Sequence, residues 1–525
     1  MTVAPELVLV VGAVVLIAAV AAVRLSTRTG LPSLLLYLGL GIVLGEDVLG
    51  IPFDDQQLAQ DAGYVALGLI LAEGGLTTRW ESIRSSLAPA SLLATVGTCV
   101  SFLVTGVGAW LLLDLDLLTS MLLGAVVAST DSAAVFSVLR SVRLPRRVVG
   151  MLEAESGFND APAVLAVIAL TASATGQEGE PWWLAVLLAA AALVIGLVVG
   201  VAVGWLGAAV LSRLATPVSG PFPLAVVAAV GIAYGAAHLV HGSGFLAVYV
   251  AALVLGNRRL PHGAATRGFA TSLGWLAQIG LFVLLGLLVT PSRLPGVVLP
   301  ALAVTAVLVL VARPLSVMSS MVWFRVPWRE QVFLSWAGLR GAVPIVLATI
   351  PVVEGAPGAQ RIFDVVFVVV VVSVLLQAPT LPVLARRLGL VERLDSEDVD
   401  VESTPLGRMG ADLLEVHVHD SSRLHGVSVQ ELRLPQPAHV SLVVRPDGAV
   451  VPTPTTTLRH GDSLLVVTTP AVRDRVDRRL RAVSEGGRLA SWGDDDAGHS
   501  AVARPDAPAG GVVVRRALPR GRQAP

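Results

Sequence analysis

Long apolar runs constrain the fold of this chain more than any other feature. Between residues 6 and 385, the apolar residues form runs of roughly 20, the length that an α-helix needs to cross a bilayer. Of the 525 residues, 54% are hydrophobic and 14% are charged. Soluble domains of ordinary composition carry about 25% charged residues. The sequence therefore predicts a polytopic α-helical membrane protein.

The apolar runs predict about thirteen membrane spans. They lie near residues 6–23, 31–45, 61–77, 88–113, 119–139, 148–175, 182–211, 222–240, 243–256, 270–289, 296–318, 330–351 and 361–385. Six-span halves in opposite orientation, spans 2–7 and 8–13, with broken helices that meet at the midplane, are the architecture that we expect, as in many secondary transporters.

The flanks of the first run predict the orientation of the chain. Glu6 precedes this run and Arg24 and Arg28 follow it, an order that favours a retained first span with its N-terminus outside over a cleaved signal peptide. Arginines then concentrate in alternate loops, which the positive-inside rule places in the cytosol. The outer loops hold only Arg293 and Arg361. An odd number of spans leaves the C-terminus cytosolic, in a multi-pass protein of the cytoplasmic membrane.

The composition changes after the last span. We expect a transmembrane domain at residues 1–390, an acidic linker at 391–409, a small α+β cytosolic domain at 410–485 and a disordered tail at 486–525, rich in Gly, Pro and Ala. Short apolar runs between turn signals predict strands at Leu413–Val418, His439–Val444 and Ser463–Thr468. An Arg-rich amphipathic helix is predicted at Ala471–Val483.

Two segments place acids within apolar spans. The segment from Ala128 to Phe136 carries Asp131 among hydroxyl side chains, Thr130 included. Such side chains can satisfy the carbonyl groups that an unwound helix frees.

The segment from Glu155 to Pro162 carries two further acids. On a helix, Ser156 and Asp160 share one face, and Glu155 and Asn159 share the adjacent strip. A carboxylate at membrane depth costs about 2.5–3.5 kcal/mol, and a bound proton or alkali cation relieves this cost. One site that holds either ion, with alternating access, is sufficient for exchange, and hydroxyl and carbonyl oxygens supply the remaining hard ligands.

A third segment, from Gly338 to Pro344, carries Arg340 at membrane depth between glycine and proline. Such a buried cation needs a partner, and we expect Glu155, because it lies off the face that Ser156 and Asp160 share.

Other polar residues have simpler explanations. Glu73, Asp61 and Glu153 are expected to reach water at the span ends, and His238 and His241 to pack near an outer loop. Gln278 and Gln377 are expected to form interhelical hydrogen bonds.

Residues 1 to about 388 resemble the NhaP-type cation/proton antiporters. Thr130-Asp131, Glu155-Ser156-x-x-Asn159-Asp160 and Gly338-Leu339-Arg340-Gly341-Ala342-Val343-Pro344 carry the resemblance. It implies that Asp160 is the main cation and proton site. It also implies that Thr130, Asp131 and Ser156 help to coordinate the ion, and that Glu155 and Arg340 form a structural pair. The Asn159-Asp160 pair resembles the electroneutral branch of these antiporters.

Residues 410–482 resemble the RCK-C or TrkA-C domains that regulate potassium transport. Leu424-His425-Gly426, Glu431-Leu432-Arg433-Leu434-Pro435 and Leu458-Arg459-His460-Gly461-Asp462 carry this resemblance. It favours potassium over sodium and implies a homodimer, with a small nucleotide as one candidate ligand. No GxGxxG follows a strand, so NAD is not implied, and we expect neither a cofactor nor a nucleic-acid partner.

Three other functions are alternatives to antiport. A channel would need a selectivity filter, and no TVGYG-like segment occurs. A cation sensor that does not transport would hold the same site. An intramembrane aspartyl protease would place its acids in Tyr-Asp and Gly-x-Gly-Asp segments, and neither Asp131 nor Asp160 has that setting. We therefore expect a transporter and no enzyme.

Overall fold

A computed structural model divides the chain into two units, residues 1–393 and 394–525. The structure describes residues 5–29, 32–50, 53, 55–139, 142, 144–176, 181–214, 220–258, 260–391, 401–406, 411–418, 422–445, 448–469, 471–487 and 490. Each unit is described by itself.

The first unit is a bundle of helices around one large apolar core. The helices are α1 Pro5–Thr29, α2 Ser33–Leu44, α3 Gln56–Thr77, α4 Trp80–Ile83, α5 Leu87–Leu112, α6 Leu117–Val126, α7 Ser132–Val138, α8 Arg146–Ala174, α9 Trp182–Arg213, α10 Pro221–Leu239, α11 Gly244–Gly256, α12 Gly263–Leu287, α13 Val298–Phe324, α14 Trp328–Trp336, α15 Ala342–Val353, α16 Ala359–Gln377 and α17 Leu381–Arg387. A short 3-10 helix, Pro291–Gly296, precedes α13.

Every predicted span coincides with a helix or with two consecutive shorter helices. Within the described residues, 7 helices are long and apolar enough to cross a membrane. Shorter apolar helices make up further parts of the bundle: Val10–Ser26, Ser33–Leu44, Leu117–Val126, Gly244–Gly256 and Ala342–Val353. The chain is therefore a multi-pass membrane protein, and the count of about thirteen crossings stays a prediction.

Two of the predicted spans are broken near their middle, as expected, and the thirteenth is interrupted nearer its end, at residues 378–380 between α16 and α17. The fifth consists of α6 and α7 with residues 127–131 between them, and the twelfth of α14 and α15 with residues 337–341 between them. The two breaks meet, because the backbone N–H of Asp131 donates to the carbonyl of Leu339 at 2.9 Å. Each break thus supplies a hydrogen-bond partner to a backbone group that has none within its own helix.

The distortions of the helices bear on one detail of the predicted repeat. A π-helical turn lies in α5 at Leu93–Gly97 and another in α13 at Leu308–Ala312. Spans 4 and 5 are therefore distorted in the same order as spans 11 and 12, seven spans later. An odd shift reverses the direction of the chain, as an inverted repeat requires, whereas a shift of six preserves it. These distortions match spans 1–6 with spans 8–13 and favour that pairing over the predicted pairing of spans 2–7 with 8–13.

The second unit is built on an antiparallel 5-stranded sheet in the order β1-β2-β5-β3-β4. The strands are β1 Val401–Leu406, β2 Ala411–His417, β3 His439–Arg445, β4 Gly448–Val450 and β5 Ser463–Thr468. The helix α18, Arg473–Gly486, places Val476, Leu480 and Val483 in the same core as the strand residues Leu414 and Val416.

One predicted boundary of this unit is wrong. Residues 391–409 were expected to be a linker, but β1 lies within them and pairs with β2 from Val401 opposite Val416 to Leu406 opposite Ala411. This strand lies at the sheet edge, where Glu402 and Pro405 are tolerated because one side of it has no strand partner among the described residues. The polar sequence of β1 lacks the apolar run by which the other strands were predicted. Most of the tail predicted at 486–525 lies outside the described residues.

Candidate cation and proton site

The helix α8 carries four of the predicted site residues near its middle. Glu155, Asn159 and Asp160 are buried, and Ser156, one turn before Asp160 on the same face, is half-buried. Pro162 lies inside this helix and cannot donate to the carbonyl one turn earlier, which loosens the backbone beside Asp160.

The Asp160 carboxylate faces the break between α6 and α7. The hydroxyl of Ser129, in that break, donates to Oδ1 of Asp160, and both side chains are buried. Asp131, two residues further along, is close enough to interact electrostatically with Asp160. Ser129 was not among the predicted ligands, although it belongs to the predicted segment and adjoins Thr130.

Thr130 links the break to α8 through a directed chain of hydrogen bonds. Its hydroxyl donates to Oε1 of Glu155 at 3.2 Å and accepts from Nδ2 of Asn159 at 2.6 Å. Because the hydroxyl has one proton, this chain fixes the orientation of the Asn159 amide. The amide oxygen of Asn159 is left buried without a hydrogen-bond partner among the described residues. This orphaned oxygen, one residue from Asp160, is a ready ligand for a hard cation.

Asp131 occupies the crossing point of the two breaks. Its Oδ1 accepts from the backbone N–H of Ala134 at 3.2 Å and so caps the start of α7. A β-carbon on Gly341, in the other break, would overlap the Asp131 carboxylate. Glycine at 341 therefore allows the backbone of one break to approach the acid of the other.

The predicted ion pair between Glu155 and Arg340 is not the one that the structure contains. Glu155 pairs instead with Arg313 of α13, whose Nη1 and Nη2 lie 2.5 Å and 2.9 Å from Oε1 and Oε2. The side chains of both Glu155 and Arg313 are buried. Gly338 has no side chain, and Arg313 fills the space that one would occupy. The two forked groups match in geometry, which explains the preference for this partner.

Arg340 satisfies the freed backbone of the first break. Its Nη1 donates to the carbonyl of Ser129 at 2.9 Å, and its Nη2 lies 3.5 Å from Oγ of Ser101. The sequence did contain a signal for Arg313, because an arginine within the run 296–318 is expensive at membrane depth and needs a partner.

The remaining polar residues differ in outcome. The predicted interhelical hydrogen bond of Gln377 is confirmed, because its Nε2 donates to the carbonyl of Trp336 at 2.9 Å, at the start of the second break. His238 stacks on Tyr234 within α10, as expected for packing. Glu73 was expected to reach water at a span end. It is half-buried and lies beside Gly274 of α12, where a β-carbon would overlap its carboxylate.

The structure thus brings Thr130, Asp131, Glu155, Asn159 and Asp160 together at the crossing of two broken spans. Glu155 is occupied by Arg313. The others, together with Ser129, offer the oxygens of two carboxylates, two hydroxyls and one amide. Hard oxygens of this kind suit an alkali cation, and a buried carboxylate can take up a proton in its place.

Comparison with known families matches both units. Residues 15–387 match the family described as sodium/hydrogen exchanger, transmembrane. Residues 413–481 match the TrkA-C domain.

Similar proteins and structures agree with these matches. The chain is 42% identical over 387 residues to the K(+)/H(+) antiporter NhaP of Alkalimonas amylolytica, covering 73% of this chain and 67% of that protein. It is 37% identical over 473 residues to the K(+)/H(+) antiporter NhaP2 of Shewanella sp. strain ANA-3, covering 87% and 80%. The solved sodium proton antiporter MjNhaP1 of Methanocaldococcus jannaschii at pH 8 superposes with a TM-score of 0.65 at 24% identity, covering 73% of this chain and 99% of that one.

Proposed function

Because the chain belongs to the sodium/hydrogen exchanger transmembrane family and carries a TrkA-C domain, we propose that it is a secondary antiporter that exchanges a monovalent cation for protons across the cytoplasmic membrane. The observation that carries the proposal is Asp160, buried at the crossing of two broken spans, with the Ser129 hydroxyl on its carboxylate and the unpaired amide oxygen of Asn159 beside it.

Proton and cation compete for the Asp160 carboxylate. With a proton bound, the acid is neutral and the Ser129 hydroxyl is its hydrogen-bond partner. With a cation bound, the carboxylate is charged, and the hydroxyl oxygens of Ser129, Thr130 and Ser156, the amide oxygen of Asn159 and the Asp131 carboxylate complete the shell. Because the two occupancies exclude each other, alternating access to this site couples the two ion flows.

Potassium is the cation that we favour. The relatives at 37% and 42% identity are both named K(+)/H(+) antiporters, and the TrkA-C match is of the type that accompanies potassium transport. Sodium remains the second candidate, because the solved structural relative is named a sodium proton antiporter.

Glu155, Arg313 and Arg340 support the site and do not bind the transported ion. The Arg313 guanidinium occupies both carboxylate oxygens of Glu155, and Arg340 holds the break that carries Ser129. Both arginines thereby fix the positions of the ligands in the first break.

We place the N-terminus outside and the TrkA-C domain in the cytosol, following the arginine distribution.

We also propose a homodimer through α9. The glycines Gly196, Gly200 and Gly204 pack this helix against α11 and the residue before it, while its opposite side leaves Trp183, Leu187 and other large apolar residues exposed. Only 17% of the apolar stretch of α9 is buried within the bundle.

A small nucleotide is the proposed class of ligand for the TrkA-C domain.

The test is cation-driven proton movement in proteoliposomes that contain the purified full chain and a trapped pH dye. Addition of potassium should move protons in the wild type, with sodium less effective. Asp160→Asn should reduce the signal to the level of empty liposomes, because the site can no longer exchange a proton. Asp61→Asn removes an exposed acid on α3 and should transport like the wild type. Normal exchange by a well-inserted Asp160→Asn protein, or cation flux without proton movement, would overturn the proposal.

A further inference from the structure

A groove of about 740 Å³ lies on the outer surface of the bundle between α13, α14 and α17. Its volume falls within the range of roughly 300–1,000 Å³ that small-molecule pockets occupy. The site proposed for ion exchange does not include it.

The walls of the groove are apolar. Leu310, Met318, Trp328, Val332 and Val383 line it, and each of these large side chains is exposed on the bundle surface. Such a surface takes an apolar occupant.

The few polar side chains in the groove already have hydrogen-bond partners. Ser335 donates to the carbonyl of Gln331 at 2.7 Å, and Gln331 donates to the carbonyl of Val326 at 2.8 Å. Thr380 accepts from the indole nitrogen of Trp336 at 2.8 Å. An apolar occupant therefore leaves none of these polar groups without a hydrogen-bond partner.

One end of the groove is positively charged. Arg387 lines it, and the guanidinium of Arg329 lies 5.7 Å from the ring centroid of Trp328. A terminal nitrogen of Arg329 is also 3.5 Å from the position that a β-carbon on Gly389 would take, which brings it beside the end of α17. Within the described ranges, neither Arg329 nor Arg387 has an acidic partner within 4.0 Å. Among the described residues, no acid therefore neutralises the charge at this end.

The groove is long enough to hold part of a lipid chain. Contacts between Trp336 and Thr380 at one end, and between Arg329 and Gly389 at the other, show that α14 and α17 run antiparallel. At about 1.5 Å per residue, the apolar wall extends roughly 10 Å away from the charged end. Trp323 and Trp328 are exposed near this end, and tryptophans of this kind mark the interface of a membrane.

We propose that this groove binds an anionic phospholipid, with an acyl chain along α14 and the phosphate at Arg387 and Arg329. In the proposed orientation the lipid comes from the cytoplasmic leaflet. The bound chain braces α14, which leads directly into the break at residues 337–341. The proposal concerns binding alone and does not depend on ion exchange.

The experiment compares two lipids that share their acyl chains, phosphatidylglycerol and phosphatidylcholine, added to the delipidated full chain in detergent. Native mass spectrometry measures lipid retained, and the thermal unfolding midpoint measures stabilisation. We expect the wild type to retain phosphatidylglycerol in preference and to be stabilised by it. Arg387→Gln should weaken that binding about fivefold, the effect of one basic residue at a lipid surface. Val332→Trp should fill the groove and prevent retention.

Matched controls separate this groove from general lipid contact. Arg386→Gln removes the same charge from the neighbouring residue, which does not line the groove. Ile232→Trp adds the same bulk to an exposed position on α10. Both should bind phosphatidylglycerol like the wild type. Equal retention of the two lipids by the wild type, or unchanged binding in Arg387→Gln and Val332→Trp, would overturn the proposal.

Discussion

Among single residues, two arginines and one glutamate hold the side chains and backbone of the site in position. Both arginines are buried: Arg313 of α13 lies against Gly338 of the second break, and Arg340 belongs to that break and reaches the first. Arg313 neutralises Glu155, whereas Arg340 donates to a backbone carbonyl. Asp160, the proposed ion-exchanging acid, is thereby left without an arginine at hydrogen-bond distance among the described residues, and so remains available to a cation or proton.

Arg313→Ala should destabilise the transmembrane domain strongly. It leaves the buried carboxylate of Glu155 without its cation, a loss of roughly 3–5 kcal/mol when one partner of a buried pair is removed. Thermal unfolding of the detergent-solubilised protein measures the effect.

Arg147→Ala provides the control for this prediction. Arg147 is half-exposed and lies 3.9 Å from Glu330, so its loss should cost less than about 1 kcal/mol. The double variant Glu155→Gln/Arg313→Met should be less destabilised than the two single changes added together. If Arg313→Ala melts like Arg147→Ala, Arg313 does not hold the structure in the way that its contacts indicate.

At the scale of elements, the breaks in two spans form one structure. The hydrogen bond from Asp131 to Leu339 crosses between them, and Gln377 satisfies the carbonyl of Trp336 where the second break begins. Arg340, which belongs to the second break, holds the first. Movement of either break must therefore disturb the ligands of the other, which is the coupling that alternating access needs.

Gly341→Ala should impair exchange while the protein still inserts into the membrane. The new β-carbon overlaps the Asp131 carboxylate, so the two breaks must move apart, a strain of roughly 1–3 kcal/mol. Cation-driven proton movement, measured together with the yield of inserted protein, tests this.

Gly68→Ala is the matched substitution, because its β-carbon meets nothing within 4 Å and alanine favours the helix. We expect it to transport like the wild type. Equal transport by Gly341→Ala and Gly68→Ala would mean that the close approach of the breaks is not needed for exchange.

At the scale of the whole molecule, the site and the C-terminal sheet belong to separate units. Every proposed ion ligand lies before residue 161, within the unit that ends at Arg393. The second unit has its own apolar core of strand and helix residues. Such a division favours a regulatory role for the TrkA-C domain.

Truncation after Arg393 should therefore leave exchange intact and change how it depends on pH or on a cytosolic ligand. The pH profile of exchange in proteoliposomes, taken beside the oligomeric state, measures this. Truncation after Ala490 is the control, since it retains the sheet and α18 and should preserve the wild-type profile. Complete loss of exchange by a protein that ends at Arg393 and still inserts would make the second unit part of the transport machinery.

Most of the elements and most of the candidate site residues can be predicted from the sequence alone. Apolar runs of membrane length set the positions of the helices, because hydrophobic burial and backbone hydrogen bonding in a bilayer depend on local composition. Acids and hydroxyls within those runs marked the segments around Asp131 and Asp160 for the same reason. The strands β2, β3 and β5 followed from short apolar runs, whereas the edge strand β1 was missed because its polar residues resemble a linker.

Which of these residues meet depends on how distant segments of the chain pack together. Glu155 and Arg313 are 158 positions apart, and both arginines are chemically able to pair with the acid. The choice depends on space, because Gly338 admits the Arg313 side chain while Arg340 is directed to the carbonyl of Ser129. The crossing of the breaks and the unpaired oxygen of Asn159 arise in the same way, from packing between distant segments. Side-chain identity sets what a residue can bind, but the fold sets what lies within its reach.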